Sequence, residues 1–201
     1  NLNILPPTFV IGGFFMEATK ALILKKKLTD TQYIILYFFL YSFIGWLMET
    51  FYSLLVLGHF TNRGFLVGPI CPIYGFGAIL MILFISQYKK NSIKLFFASA
   101  FIFSAFEYVV GFALDAIFAA KWWDYTYDFF NLNGRISILY TIAWGFIGLL
   151  FINHIHPFFS KKIEKSLSAI PTYILKVLIY LMPIILIVDT IFSSLKYLGK
   201  L

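Results

Sequence analysis

The sequence predicts an all-α integral membrane protein, a bundle of five to six transmembrane helices with a parallel internal repeat of two hairpins. Three observations carry that prediction. Hydrophobic residues fill 61% of the 201 positions and charged residues 12%, against roughly a quarter charged in an ordinary soluble domain. The apolar residues come in runs of about 20, the length that crosses a hydrocarbon core. Lysines gather between alternate runs, as the positive-inside rule asks of cytoplasmic loops. The formal charge of +7 sits in these short clusters, where it signals topology and excludes a nucleic-acid role.

The first apolar run, Phe9 to Leu24, is short, holds Glu17 and Lys20 and follows Pro6 and Pro7. Residues 1–27 are therefore read as a segment that either spans or lies in the interface. Tyr33 to Leu57, Phe65 to Ile85, Leu95 to Phe118, Ile136 to Ile155 and Tyr173 to Leu195 are long enough to cross. They divide the chain into a membrane core over 28–157, made of two repeats at 33–86 and 95–156, and a cytoplasmic linker with a C-terminal transmembrane helix over 158–201. The chain opens on Asn1, which leaves upstream residues open, and no cleaved signal peptide is expected. Lys25 to Lys27, then Lys89, Lys90 and Lys94, then Lys161, Lys162 and Lys165 place three loops in the cytoplasm. The loops carrying Arg63 and Trp122 to Arg135 share the outer face, where Trp122, Trp123, Tyr125 and Tyr127 form an aromatic belt. The expected location is the cell membrane, multi-pass.

The repeat is read from three matches in one order. Gly45-Trp46 through Glu49 matches Gly111-Phe112 through Asp115, Tyr74-Gly75-Phe76 matches Trp144-Gly145-Phe146, and Asn62-Arg63-Gly64 answers Asn133-Gly134-Arg135. Parallel repeats of this kind place sites between the halves. Glu49 and Asp115 then become equivalent acids facing one another in the outer half of the membrane.

Carboxylates at membrane depth cost about 2.5 to 3.5 kcal/mol on insertion scales, so they pair or line a wet cavity. Glu49, Glu107 and Asp115 are such groups, and Arg63 and Arg135, the only arginines in the chain, are their natural partners. Two readings stay open: these residues clasp the hairpins together, or they bind a ligand. The run from Asn62 to Gly77 holds four glycines and two prolines after Arg63, which predicts a broken or re-entrant segment, with close helix packing through small residues as the alternative. Trp123, Asp124 and Asn133 lie in a polar, aromatic loop able to cap a ligand or simply to anchor the bundle in the headgroups. His154 and His156, two apart, share no helix face, and Cys71 reads as a small packing residue. Neither a phosphate-binding Gly-x-x-x-x-Gly-Lys-Ser/Thr loop nor His-Glu-x-x-His nor Gly-x-Ser-x-Gly occurs.

Ser42-Phe43-Ile44-Gly45-Trp46-Leu47-Met48-Glu49-Thr50, Asn62-Arg63-Gly64-Phe65, Pro72-Ile73-Tyr74-Gly75-Phe76-Gly77, Trp122-Trp123-Asp124-Tyr125 and Phe130-Asn131-Leu132-Asn133-Gly134-Arg135 together resemble the ABC-transporter type IV, or CmpB-like, family of membrane permeases, over about Tyr33 to Pro157. The resemblance implies a permease and, with it, a separate ATPase or other membrane subunit as partner; it names no substrate and no cofactor. The expected function is a permease or substrate-binding membrane subunit with an outward-opening polar pocket for a small polar or anionic ligand, its candidate residues Glu49, Asn62, Arg63, Glu107, Asp115, Trp123, Asp124, Asn133 and Arg135. Surrounding partners are membrane lipids. A membrane-embedded enzyme acting on a lipid, with Glu49 or Glu107 as base, and a non-catalytic accessory or sensor subunit are the alternatives.

Overall fold

The computed structural model describes residues 28–61 and 63–199. The run Phe9 to Leu24, the cluster Lys25 to Lys27, the site candidate Asn62 and Lys200 lie outside the described residues. Helix α1, Asp30–Leu57, starts at a capping box in which the Thr29 hydroxyl accepts from the Gln32 amide at 3.3 Å and the Gln32 side chain accepts from the Thr29 amide at 2.9 Å. It stops at Gly58, whose left-handed backbone (φ 71°) closes the last turn.

Residues 63–71 carry no helix. Helix α2, Pro72–Leu80, begins at its proline, which lacks the N–H that a first turn leaves unused anyway. It continues through a π turn at Met81–Ile85 and a 3₁₀ turn at Ser86–Tyr88. Asn91 then caps α3, Ser92–Phe118, by accepting from the Lys94 amide at 3.0 Å. The loop between α3 and the next helix holds two short antiparallel strands, β1 (Asn131–Leu132) and β2 (Ile136–Ser137), with Leu132 opposite Ile136. Helix α4, Ile138–Leu150, runs through a second π turn at Phe151–Ile155 into α5, His156–Ser168, and α6, Thr172–Tyr197, follows Pro171.

Among the described residues, four helices are long and apolar enough to cross a membrane, Asp30–Leu57, Ser92–Phe118, Ile138–Ser168 and Thr172–Tyr197, where the sequence reads five spanning runs over the same stretch. The run Phe65 to Ile85 yields only the shorter apolar helix Pro72–Tyr88, because the glycines and prolines before it stop the backbone from closing helical turns. The expected break is therefore present, and it falls on residues 63–71. Part of the stretch read as a linker after Pro157 is helical, since proline near the start of α5 falls where its missing donor costs least.

Helices α1 and α2 form one antiparallel hairpin and α3 and α4 another. In each, glycine lets the backbones close up: Gly75 sits on Ser42 and Phe38, Gly45 on Tyr74, Gly145 on Phe96 and Gly148 on Ser99. Phe38 meets Phe76 edge to face at 4.8 Å, and Phe96 meets Phe146 in the same way at 5.1 Å. At the end of the bundle near the start of α1, Tyr37 bonds Ser160 at 2.8 Å, Tyr41 bonds His156 Nδ1 at 3.0 Å and Gln32 donates to Tyr180 at 3.2 Å. At the opposite end Phe65, Phe118, Trp122 and Tyr197 make one ring cluster, with centroids between 5.2 and 6.1 Å apart. Large apolar side chains such as Val177, Ile184 and Val188 remain exposed along α6, as a helix bathed in lipid requires.

A methyl added at Gly75 would stand 2.6 Å from the Phe38 carbonyl oxygen, a backbone atom that cannot swing aside. Gly75→Ala is expected to destabilise by about 1 to 3 kcal/mol, the usual cost of overpacking, seen as a lowered melting temperature in detergent. An unchanged melting temperature would refute the close α1–α2 contact.

Candidate functional site

The acids of the apolar helices do not stand alone. On α1, Glu49 accepts a 2.5 Å hydrogen bond from the Tyr74 hydroxyl of α2. On α3, Glu107 is 6% exposed and takes two donors, Trp144 Nε1 of α4 at 2.8 Å and the Tyr125 hydroxyl of the outer loop at 3.0 Å. A buried carboxylate with a donor on each oxygen is a satisfied one. Burial, followed by the charge of Glu107, pushes the Tyr125 hydroxyl well above its ordinary range, so it stays a proton donor.

The two arginines behave differently. Arg135 bonds Asp115 at 2.9 Å through Nη2, its guanidinium lies 5.5 and 5.4 Å from the Tyr108 and Phe112 ring centroids, and its carbonyl accepts from Trp123 Nε1 at 2.9 Å. Salt bridge, cation–π contacts and indole fix it in place. Arg63 only approaches Glu49, with Nε 3.9 Å from Oε2, and its Nε, like that of Arg135, is buried without an acceptor. Its side chain as a whole is 37% exposed, against 17% for Arg135.

The outer loop is built for its own stability. Asn133 and Gly134 both have positive φ, 54° and 68°, and the Arg135 amide donates to the Leu132 carbonyl at 3.0 Å, which is the tight turn that Asn-Gly favours between paired strands. The Asn133 side chain donates to the Tyr108 hydroxyl at 3.0 Å. Asp124 accepts from the Thr126 hydroxyl, from the Thr126 amide at 3.0 Å and from Lys121 at 3.2 Å, and these bonds hold its carboxyl below the usual carboxylate range. Trp123 packs on Gly111.

The candidates read from the sequence therefore divide. Glu49 meets Tyr74 and Arg63, while Glu107 binds Trp144 and Tyr125. Asp115, Trp123, Asn133 and Arg135 interlock within the second hairpin, and Asp124 stays inside its own loop turn. Asp115 pairs with Arg135, and Glu49 takes its donor from Tyr74. Tyr74, Tyr125 and Trp144 were missed as site residues, although the Tyr-Gly-Phe and Trp-Gly-Phe triplets marked two of them. Two surface clefts lie elsewhere, one of about 490 Å³ beside Asn153 and Phe158 and one of about 160 Å³ between Gly64 to Val67 and Ser193.

The family described as "Putative ABC-transporter type IV" matches residues 36–194. That match takes in α1 through most of α6, beyond the stretch to Pro157 that carries the sequence resemblance. No curated protein and no solved structure matches the chain.

Arg135→Ala strands Asp115 and uncovers two rings. Because Asp115 keeps about a third of its surface, the expected loss is about 2 kcal/mol, below the 3 to 5 of a fully buried pair. Arg63→Ala should cost under about 1 kcal/mol, as an exposed pair does. Thermal unfolding of both variants checks the order, and equal losses would contradict the division of the two arginines.

Proposed function

The chain belongs to the ABC-transporter type IV family, a multi-pass membrane protein of transport type, and from that premise we propose that it is a permease or substrate-binding membrane subunit. Its pocket opens outward between the two hairpins and takes a small polar or anionic ligand. The observation that carries this reading is Arg63: a guanidinium 37% exposed whose Nε approaches Glu49 only to 3.9 Å, where Arg135 is 17% exposed and bonded to Asp115 at 2.9 Å. A carboxylate or phosphate oxygen bonds the exposed part of the Arg63 guanidinium, and the planar fork holds it in one orientation. Glu49 balances the arginine in the empty state. Tyr74, by donating to Glu49, ties α2 to α1 beside the arginine. Asp115 and Arg135 serve as the clasp of the second hairpin, with Trp123, Asp124 and Asn133 shaping the loop over it.

The two hairpins are repeats in this reading, in the register Phe38-Phe39, Phe43-Ile44 and Glu49 against Phe96-Phe97, Phe101-Ile102 and Glu107. Tyr74 and Trp144 occupy equivalent places, and each donates to the acid of its own hairpin. This register pairs Glu49 with Glu107, where the glycine motif had paired it with Asp115. A separate ATPase subunit supplies energy, since the chain carries no nucleotide-binding loop. The lysine-bearing loops face the cytoplasm of the cell and the hairpin loop faces out.

Native mass spectrometry of the purified protein is expected to find a retained polar or anionic molecule. Arg63→Lys should lose it at least tenfold while the melting temperature stays within about 2 °C, because lysine keeps the charge and loses the fork. Retention unchanged in Arg63→Lys, or lost only in step with stability, would leave Arg63 a structural residue. For orientation, in a Cys71→Ser background an impermeant thiol reagent applied outside should label Asp124→Cys and spare Lys89→Cys. The opposite pattern would reverse the topology.

A further inference from the structure

The irregular segment 63–71 is held by the C-terminal helix through a contact that the sequence did not announce. Asp189 of α6 accepts from the Gly68 amide at 2.8 Å and, through its other oxygen, from the Val67 amide at 3.1 Å. Ser193, one turn on, donates to Asp189 at 3.1 Å and lies 3.2 Å from the same Val67 amide. An acid inside a spanning helix is costly, and here its two oxygens take the place of the helix partners that residues 67 and 68 lack. Without that carboxylate, the Gly68 amide would lose its partner at membrane depth, while the Val67 amide would keep Ser193.

Three further observations describe how this contact is placed. Only 11% of the most apolar stretch of α6 is buried, against 22 to 33% for the other three spanning helices. A seam of about 160 Å³ already runs beside the contact, between Gly64 to Val67 and Ser193, Lys196 and Tyr197. The segment carries Arg63 at its head, and at its foot the Cys71 amide donates to the Ser42 carbonyl of α1 at 3.0 Å. Cys71 itself is 3% exposed, with its Sγ beneath Gly64 and 3.7 Å from the Arg63 carbonyl. A fixed foot, a head bearing the proposed ligand-facing arginine, and a middle held to α6 by the Asp189 and Ser193 bonds together with the Phe65–Tyr197 ring stack at 5.4 Å make a flap whose polar hold is that one contact.

We propose that Asp189 and Ser193 form the latch of an outer gate: segment 64–70 swings away from α6 when these bonds break, and swings back over the Arg63–Glu49 site when they form. The inference rests on the proposed ligand site only in what the gate covers; the latch stands on its own geometry.

The lone cysteine of the chain reports the motion. In sealed vesicles holding the otherwise native protein, an impermeant maleimide outside should label Cys71 slowly. Asp189→Asn and Ser193→Ala should raise that rate at least tenfold with melting temperatures within about 3 °C, and Asp189→Glu should return it toward the native rate. Hydrogen exchange on the native protein supplies a measurement that needs no variant: amides of 64–70 should exchange through an opening much faster than those of α1 and α3. Labelling unchanged in folded Asp189→Asn and Ser193→Ala, or exchange of 64–70 no faster than that of α1, overturns the latch. Faster labelling in the two variants while Arg63→Lys leaves ligand retention intact supports the latch and sinks the ligand site, so the two readings fail separately.

Discussion

A carboxylate inside an apolar helix must find a donor, and that demand organises the outer half of this molecule. Of the six acids in the four described spanning helices, Glu49, Glu107, Asp115 and Asp189 are each answered by a different kind of group: a phenol, an indole with a phenol, a guanidinium and a pair of backbone amides. The donors come from neighbouring elements, so each of these four ties its helix to the one beside it. The hydrophobic effect supplies no preference among helices surrounded by lipid, and close packing with such hydrogen bonds has to choose the partners. The glycines at 45, 75, 145 and 148 bring the backbones near enough for the donors to reach.

What could be read in the sequence followed from properties that depend on neighbours along the chain. Run length and lysine spacing gave the helical membrane class, and the glycines and prolines between Arg63 and Pro72 gave the break. The acids stood out because apolar helices rarely contain them. Partners across space were harder. Arg135 was matched with an acid on charge alone, but nothing in the residue types says that Trp144 would reach Glu107 or that Arg63 would stop 3.9 Å short of Glu49. The Asn133-Gly134 pair is a known hairpin signal, yet it was read as half of a repeat motif, and the two short strands went unforeseen. Asp189 was overlooked because its partners are backbone amides, which leave no mark in side-chain patterns.

The interplay of rigid and lightly held parts follows from where these donors sit. The second hairpin is closed by Arg135, Trp123 and Asn133 reaching back to α3 and its loop, with side chains contributing from several directions. The first hairpin lacks a comparable loop. Its connection is the uncoiled stretch 63–71, whose amides lean on α6. Two hairpins with the same inner construction therefore differ at their outer ends, and the difference places the reachable arginine in the less constrained one.

The paired π turns carry one more consequence. Met81–Ile85 and Phe151–Ile155 each begin five residues after the phenylalanine of their Tyr-Gly-Phe or Trp-Gly-Phe triplet. One extra residue in a turn rotates everything below it by about 100° around the helix axis. The side that meets the acids in one leaflet is therefore not the side that continues toward the other, where Ile85 and Ile152 are turned into the core. Each rod behaves as two differently phased cylinders joined by a swivel, and its two leaflets can accept substitutions under separate rules.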